Sequence, residues 1–272
     1  MSDWRCNKFD YALEVAKGNI PGSTSVNKFG RNIEVDQNIT ADIWDGGYTV
    51  ASGGVSLIWV APTAARIHAI VSTSDEDSET GGAVAQGDGA RTIQIYGLTG
   101  WDTAEVSETI TMDGTTAVNT SNSYVIIHRM KVLTKGGHAT GANVGVITAT
   151  AASDATITAQ INVSEGQTQM AIYGVPSTQT AYMYNWWAEA NRATASGVVD
   201  VDVCVNPEPD AELLNFLTKH TAGLNTSGTS AIQHKYDMPN KFVGPTLIKM
   251  QTTSATNNMD VSAGFDLLVV DN

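Results

Sequence analysis

Val199-Asp-Val-Asp-Val-Cys-Val205 sets the reading of the whole chain. Its valines fall on every second residue, with Asp200, Asp202 and Cys204 between them. Side chains alternate across a strand, so Val199, Val201, Val203 and Val205 form one apolar face and the other three face water or a partner. A helix would scatter the same valines around its circumference. Working outward, the same period of two recurs at 91–98, 106–112, 124–133, 144–150, 155–163, 169–175, 180–190, 246–252 and 261–270.

Between these runs lie Gly, Asn, Asp and Thr, the residues of turns. Met112-Asp-Gly-Thr115 matches an Asp-Gly hairpin, and Lys135-Gly-Gly-His138 reads as a second turn. One stretch reads as a short helix, Pro209 to Lys219, where proline and acids open and lysine closes. The fold class predicted is therefore all-β: an antiparallel β-sandwich or jelly roll in one large domain or two lobes, with an extended N-terminal arm and one short helix. The divisions expected are an arm over 1–54, a first lobe over 55–165 and a second over 166–272. Residues 1–54 are set apart because they alternate poorly yet carry Trp4, Phe9, Tyr11, Phe29, Trp44 and Tyr48. Aromatics at that density need a surface to pack on, either this subunit's body or a neighbour's; the alternative is that the stretch is a slightly irregular part of the same fold.

Composition narrows the function. Of 272 residues, 16% are charged and 42% hydrophobic, and the net charge is −13. A typical globular domain carries ~25% charged residues, so the low value suits a chain that buries much of its surface in an assembly. The negative charge repels phosphate backbones and anionic lipid, so neither nucleic acid nor membrane is expected as a partner. No apolar run reaches the ~18 residues of a membrane span, and the start has no secretion-signal core. Cys6 and Cys204 are too isolated for a disulfide framework or a zinc site, and reduced thiols are expected.

Residue patterns that carry chemistry are scarce. His68 and His128 fall within strand-like runs, His138 follows a Gly-Gly turn, and His220 and His234 flank a loop at 225–229. None sits in a metal-binding spacing, and no nucleophile elbow or phosphate loop is present. Asp75-Glu-Asp-Ser-Glu79 is the densest acidic cluster and reads as a solvated loop, a calcium site being the alternative. No catalytic residue, cofactor or metal is predicted. Tyr182-Met-Tyr-Asn-Trp-Trp187 stands out because, along a regular strand, Tyr182, Tyr184 and Trp186 share one face and Met183, Asn185 and Trp187 the other. Two large apolar faces suit a strand buried on both sides or covered by another subunit. The predicted assembly contacts are therefore Trp4, Phe9, Tyr11, Phe29, Trp44, Tyr182, Tyr184, Trp186 and Trp187.

Segments 11–22, 26–31, 42–47, 91–97, 124–134, 167–173 and 260–272 carry a likeness spread over almost the whole chain. Through them the chain resembles a family of uncharacterised virion-associated proteins of marine tailed bacteriophages. It implies a place in the virion, reached by assembly in the host cytoplasm, with other virion proteins and further copies of the chain as partners. The function expected is a non-enzymatic head decoration or capsid accessory subunit; the alternative is a tail or neck component or an adhesin meeting host glycans. A surface-polysaccharide hydrolase is a distant third.

Overall fold

The computed structural model describes residues 13–45, 57–192, 196–211, 216–226 and 229–272. Residues 13–16 form a helical turn, and most of the remaining described chain is strand. In chain order the strands are β1 (Ser23–Val35), β2 (Thr40–Asp42), β3 (His68–Ser72), β4 (Ala90–Leu98), β5 (Val106–Thr111), β6 (Val118–Asn119), β7 (Ile126–Lys135) and β8 (Ile147–Ala151). They continue as β9 (Thr156–Ile161), β10 (Ile172–Val175), β11 (Gln179–Asn191), β12 (Gly197–Asn206), β13 (Leu217–Thr226), β14 (Thr229–Val243), β15 (Thr246–Ser254) and β16 (Met259–Asp271). Every pairing among them is antiparallel. The all-β, antiparallel prediction therefore holds.

Four sheets result. Sheet I has the order β1-β16-β11-β14 and sheet II the order β10-β15-β12-β13, with β2 also on β15; sheet III is β6-β3-β8-β9 and sheet IV is β5-β4-β7. Sheets I and II face each other across one apolar core, which includes Met183, Trp186, Phe265 and Leu267 from sheet I and Val199, Val201, Val203 and Met250 from sheet II. Sheets III and IV enclose a second core with Ile70, Ile147 and Ile161 opposite Ile93, Ile95 and Met130. Val199, Val201, Val203 and Val205 of β12 are all buried, as their alternation requires.

The join between the two halves has an unusual form. Strand β15 is flanked on one side by two short strands laid end to end. Thr40, Ala41 and Asp42 pair with Thr253, Thr252 and Gln251, and Ile172 to Val175 pair with Lys249 to Thr246. At Met250 the chain changes hands: Ile43 N–H donates to the Met250 carbonyl (2.9 Å), Met250 N–H to Ala171 (3.0 Å) and Ala171 N–H to Ile43 (2.9 Å). Strands β2 and β10 thus act as one strand into which residues 44–170 are spliced. Trp44 and Met170 meet in an antiparallel bridge, so the spliced segment leaves and returns at one point.

Strand β1 grips this splice. Gly30 lies against it so closely that a β-carbon there would come 2.6 Å from the Ile43 oxygen and 2.9 Å from the Ala171 nitrogen, which leaves room for glycine alone. Asn32 donates to the Asp42 carbonyl (2.8 Å) and accepts from Trp44 N–H (3.1 Å).

Three expectations need correction. From Ser23 the segment read as an arm is an integral edge strand, paired residue by residue with β16 from Val270 to Val261 and, past an irregularity after Asn32, again at Val35 with Met259. Its irregular pattern arises because its inward positions Lys28, Gly30 and Asn32 meet the polar splice and the neighbouring β7 rather than apolar core. The helix expected over 209–219 is not formed at its described ends: residues 209–211 are turn and bend, and Leu217 and Thr218 pair with Val205 and Cys204 as the start of β13. Sheet pairing outweighs a weak local preference here. Finally, the Asp113-Gly114 turn forms with a positive φ of 58° at Gly114, but it connects β5 to β6, which lie in different sheets, so it closes no hairpin.

Candidate functional site

The predicted contact residues part company. Trp4, Phe9 and Tyr11 lie outside the described residues. Trp44 and Trp186 are fully buried in this chain's own cores, which removes them from the expected contact surface. Phe29, Tyr182 and Trp187 are half-buried, and Tyr184 is exposed.

The reason is a bulge. Met183 pairs with Leu267 and Asn185 with Asp266, so Tyr184 is an extra residue without a place in the ladder. Each such insertion exchanges the two faces of a strand. Ala181 and Met183 point into the core before it, and Trp186, Ala188 and Ala190 after it. On the other flank Asn185 pairs with Lys235 while Met183 pairs with Asn240, which pushes Tyr236 to Pro239 out of the ladder. Met238, at the crest, is 85% exposed, the most open large apolar side chain among the described residues. Below it, Trp186 packs on His220 and His234, whose ring centres are 4.6 Å apart. His220 and His234, read as loop neighbours, lie on β13 and β14.

Two buried polar groups hold the splice. Asp42, fully buried, accepts from Lys249 Nζ (2.8 Å), Gln251 Nε2 (2.9 Å) and Trp59 N–H (2.9 Å). Burial pushes its carboxyl up and the Lys249 ammonium opposes that; the Phe216 ring caps the ammonium at 4.1 Å. Asp45 accepts from Gln169 N–H (2.7 Å) and Asn162 Nδ2 (3.2 Å), and burial holds its carboxyl well above the usual range. These groups tie both chain crossings to β15 and to β9, an anchoring duty rather than a reactive one.

The acidic cluster at 75–79 does similar work at the far end of the inserted half. Asp77 is fully buried and accepts from Ser72 Oγ (2.6 Å), Ala90 N–H (2.7 Å), Val144 N–H (2.9 Å) and Gly145 N–H (2.8 Å). Asp75 accepts from the Thr115 hydroxyl (2.6 Å), and Glu79 from Thr80 N–H (2.8 Å). One member of the expected solvated loop is therefore a core anchor for three loops. Among the described residues no group of three or more His, Cys, Asp or Glu is placed to hold a metal.

A third polar group lies between the halves. Lys28 of β1 is buried and donates to the His128 carbonyl of β7; His128 Nε2 meets Glu105 Oε2 at 2.5 Å, and its ring lies on Tyr173, centre to centre 4.8 Å. Burial pushes the Lys28 ammonium down to about 7 and pushes the His128 imidazole down, with Glu105 working against the latter. Beside Lys28 a pocket of about 370 Å³ opens between Ser25, Asn27 and Lys28 on one side and Arg129, Gln167 and Thr168 on the other. Nothing in the local sequence of β1 or β7 predicts this meeting.

No family model matches the chain. No curated protein matches it either. Among solved structures the similarities are faint. The VP2 subviral particle of infectious bursal disease virus is 9% identical, over 92% of this chain and 72% of that one, at a TM-score of 0.20. The Gt strain of the same virus is 7% identical, over 96% and 87%, at 0.11. Scores this low bear on neither fold nor function.

Proposed function

We propose that this chain is a non-enzymatic structural subunit of a tailed-phage particle, an oligomeric head decoration or capsid accessory protein built on a jelly roll. The observation that supports it is strand order. Counting β2 and β10 as one, the eight strands of sheets I and II are β1, β10, β11, β12, β13, β14, β15 and β16. Sheet I then reads first-eighth-third-sixth and sheet II second-seventh-fourth-fifth. Two interlocked Greek keys produce that order, and jelly rolls of this kind recur in viral capsid and lectin domains. The inserted sheets III and IV form a second lobe projecting from one strand.

The surface agrees with an assembly role. Strand β14 is a sheet edge, blunted by Lys235, Pro239 and Lys241 as edges usually are, yet it lifts Met238 into solvent, and the bulge of neighbouring β11 exposes Tyr184. An apolar crest on a guarded edge suits a specific contact with another virion subunit. The buried acids Asp42 and Asp45, both pushed up by burial, are committed to holding the splice, which is the work of a scaffold. Quantitative mass spectrometry of purified particles tests the reading. Hundreds of copies per particle are expected. A few copies would transfer the chain to the neck or tail, and absence from particles would overturn the proposal.

A further inference from the structure

We propose that the pocket between β1 and β7 binds a single oxyanion group, a carboxylate or a phosphate, held by Lys28 and Arg129. Its walls come from both lobes: Ser25, Asn27 and Lys28 from the lobe of sheets I and II, and Arg129, Gln167 and Thr168 from the inserted lobe. Among the described residues no Asp or Glu lines it, on a chain whose net charge is −13. An isolated pair of cations in an acidic protein is a local inversion of sign.

Neither cation has an ionic partner among the described residues. Lys28 is 7% exposed, and its one hydrogen bond goes to the His128 carbonyl, although an ammonium carries three donors. Arg129, on the exposed side of the pocket, makes one side-chain hydrogen bond among the described residues, to Gln167 Oε1 at 3.1 Å, and lies 6.0 Å from the centre of the Tyr96 ring, so most of its five donors are open to solvent or a ligand. Burying the unpaired Lys28 charge is costly, and the like charge of the exposed Arg129 adds to that cost. Glu105, the acid that would balance them, is engaged by His128. Glu105 contributes at a distance, and Arg129 drives the Lys28 ammonium further down. An oxyanion in the pocket relieves both strains, because it accepts from the free donors and favours the charged lysine. The pocket volume accommodates one such group with its first water molecules, or the end of an Asp or Glu side chain.

The anion has two sources to distinguish, a free small anion and a carboxylate on a neighbouring subunit. Isothermal titration of the full chain with inorganic phosphate and, separately, with succinate separates them, at constant ionic strength set by chloride. One saturable site per chain is expected for at least one of the two. Binding of phosphate alone assigns a free or phosphoryl ligand; binding of succinate assigns a carboxylate. Lys28→Met and Arg129→Gln should each weaken binding tenfold or more. Arg129 is exposed, so its variant folds whatever happens at Lys28. Absence of saturable binding for both anions, or binding that survives Arg129→Gln unchanged, overturns the proposal.

Discussion

The two lobes use the same strand chemistry and close their cores by different means. In the lobe of sheets I and II, β1, β11 and β16 are each 13 residues long and pair along nearly their whole length, so packing and ladder bonds carry the structure. In the inserted lobe, β3 and β8 have five residues each and β6 has two. There buried polar side chains, Asp77 and Asn143 above all, stitch loops that the short sheets cannot hold. An acidic cluster in a sequence can therefore be a structural staple when backbone amides converge on it.

The largest effect should come from removing that staple. Asp77→Ala strands Ser72 Oγ and three amides, at a cost of about 3–5 kcal/mol. Hydrogen exchange should show Ala90, Val144 and Gly145 opening first while β11 and β16 stay protected. Uniform loss across both lobes would erase the contrast. Next, Trp186→Ala should cost about 3–5 kcal/mol because it empties a core position, whereas Trp187→Ala on the half-buried face should cost about 1 kcal/mol or less. Urea unfolding of the two variants compares them; equal losses would mean that the bulge at Tyr184 does not exchange the faces.

Lys28→Met should stabilise the protein in phosphate-free buffer. The unfolded lysine titrates near ~10.4 and the folded one at about 7, so the native state is penalised fully below pH 7 and not at all above ~10.4. The gain should be on the order of a few kcal/mol at pH 6 and shrink towards pH 10, measured by urea titration at both. A gain that grows with pH would contradict the burial of that ammonium. The smallest effect belongs to Met238→Ser, within about ±0.5 kcal/mol for the isolated chain, with any loss confined to association measured by sedimentation.

Much of the fold was legible because period-two alternation is strong where one face is apolar, as in β4, β12 and β16. Legibility failed where strands bury little. Strand β13 turns only Ala222, Leu224 and Thr226 fully inward, and β14 among its described side chains only Phe242. Their polar texture, fit for edges, resembles loop and helix. The splice was illegible for another reason: its halves, 40–43 and 171–175, are short runs whose continuity exists only on β15. The Lys28–Arg129 pocket shares that cause, since its walls are brought together by the splice. The aromatic strand at 182–187 was legible as a strand, but one bulge residue inverted its inner and outer faces.

Above all, residues 44–170 interrupt a single strand of an otherwise self-contained pair of sheets. Native-state hydrogen exchange at Ile43, Ala171 and Met250, the three amides that close the splice, probes that interruption directly. All three should open together, with the protection of the β12–β15 pairing. If Ala171 instead exchanges with the amides of β7 and β9 while Met250 stays protected, the spliced strand does not exist as described.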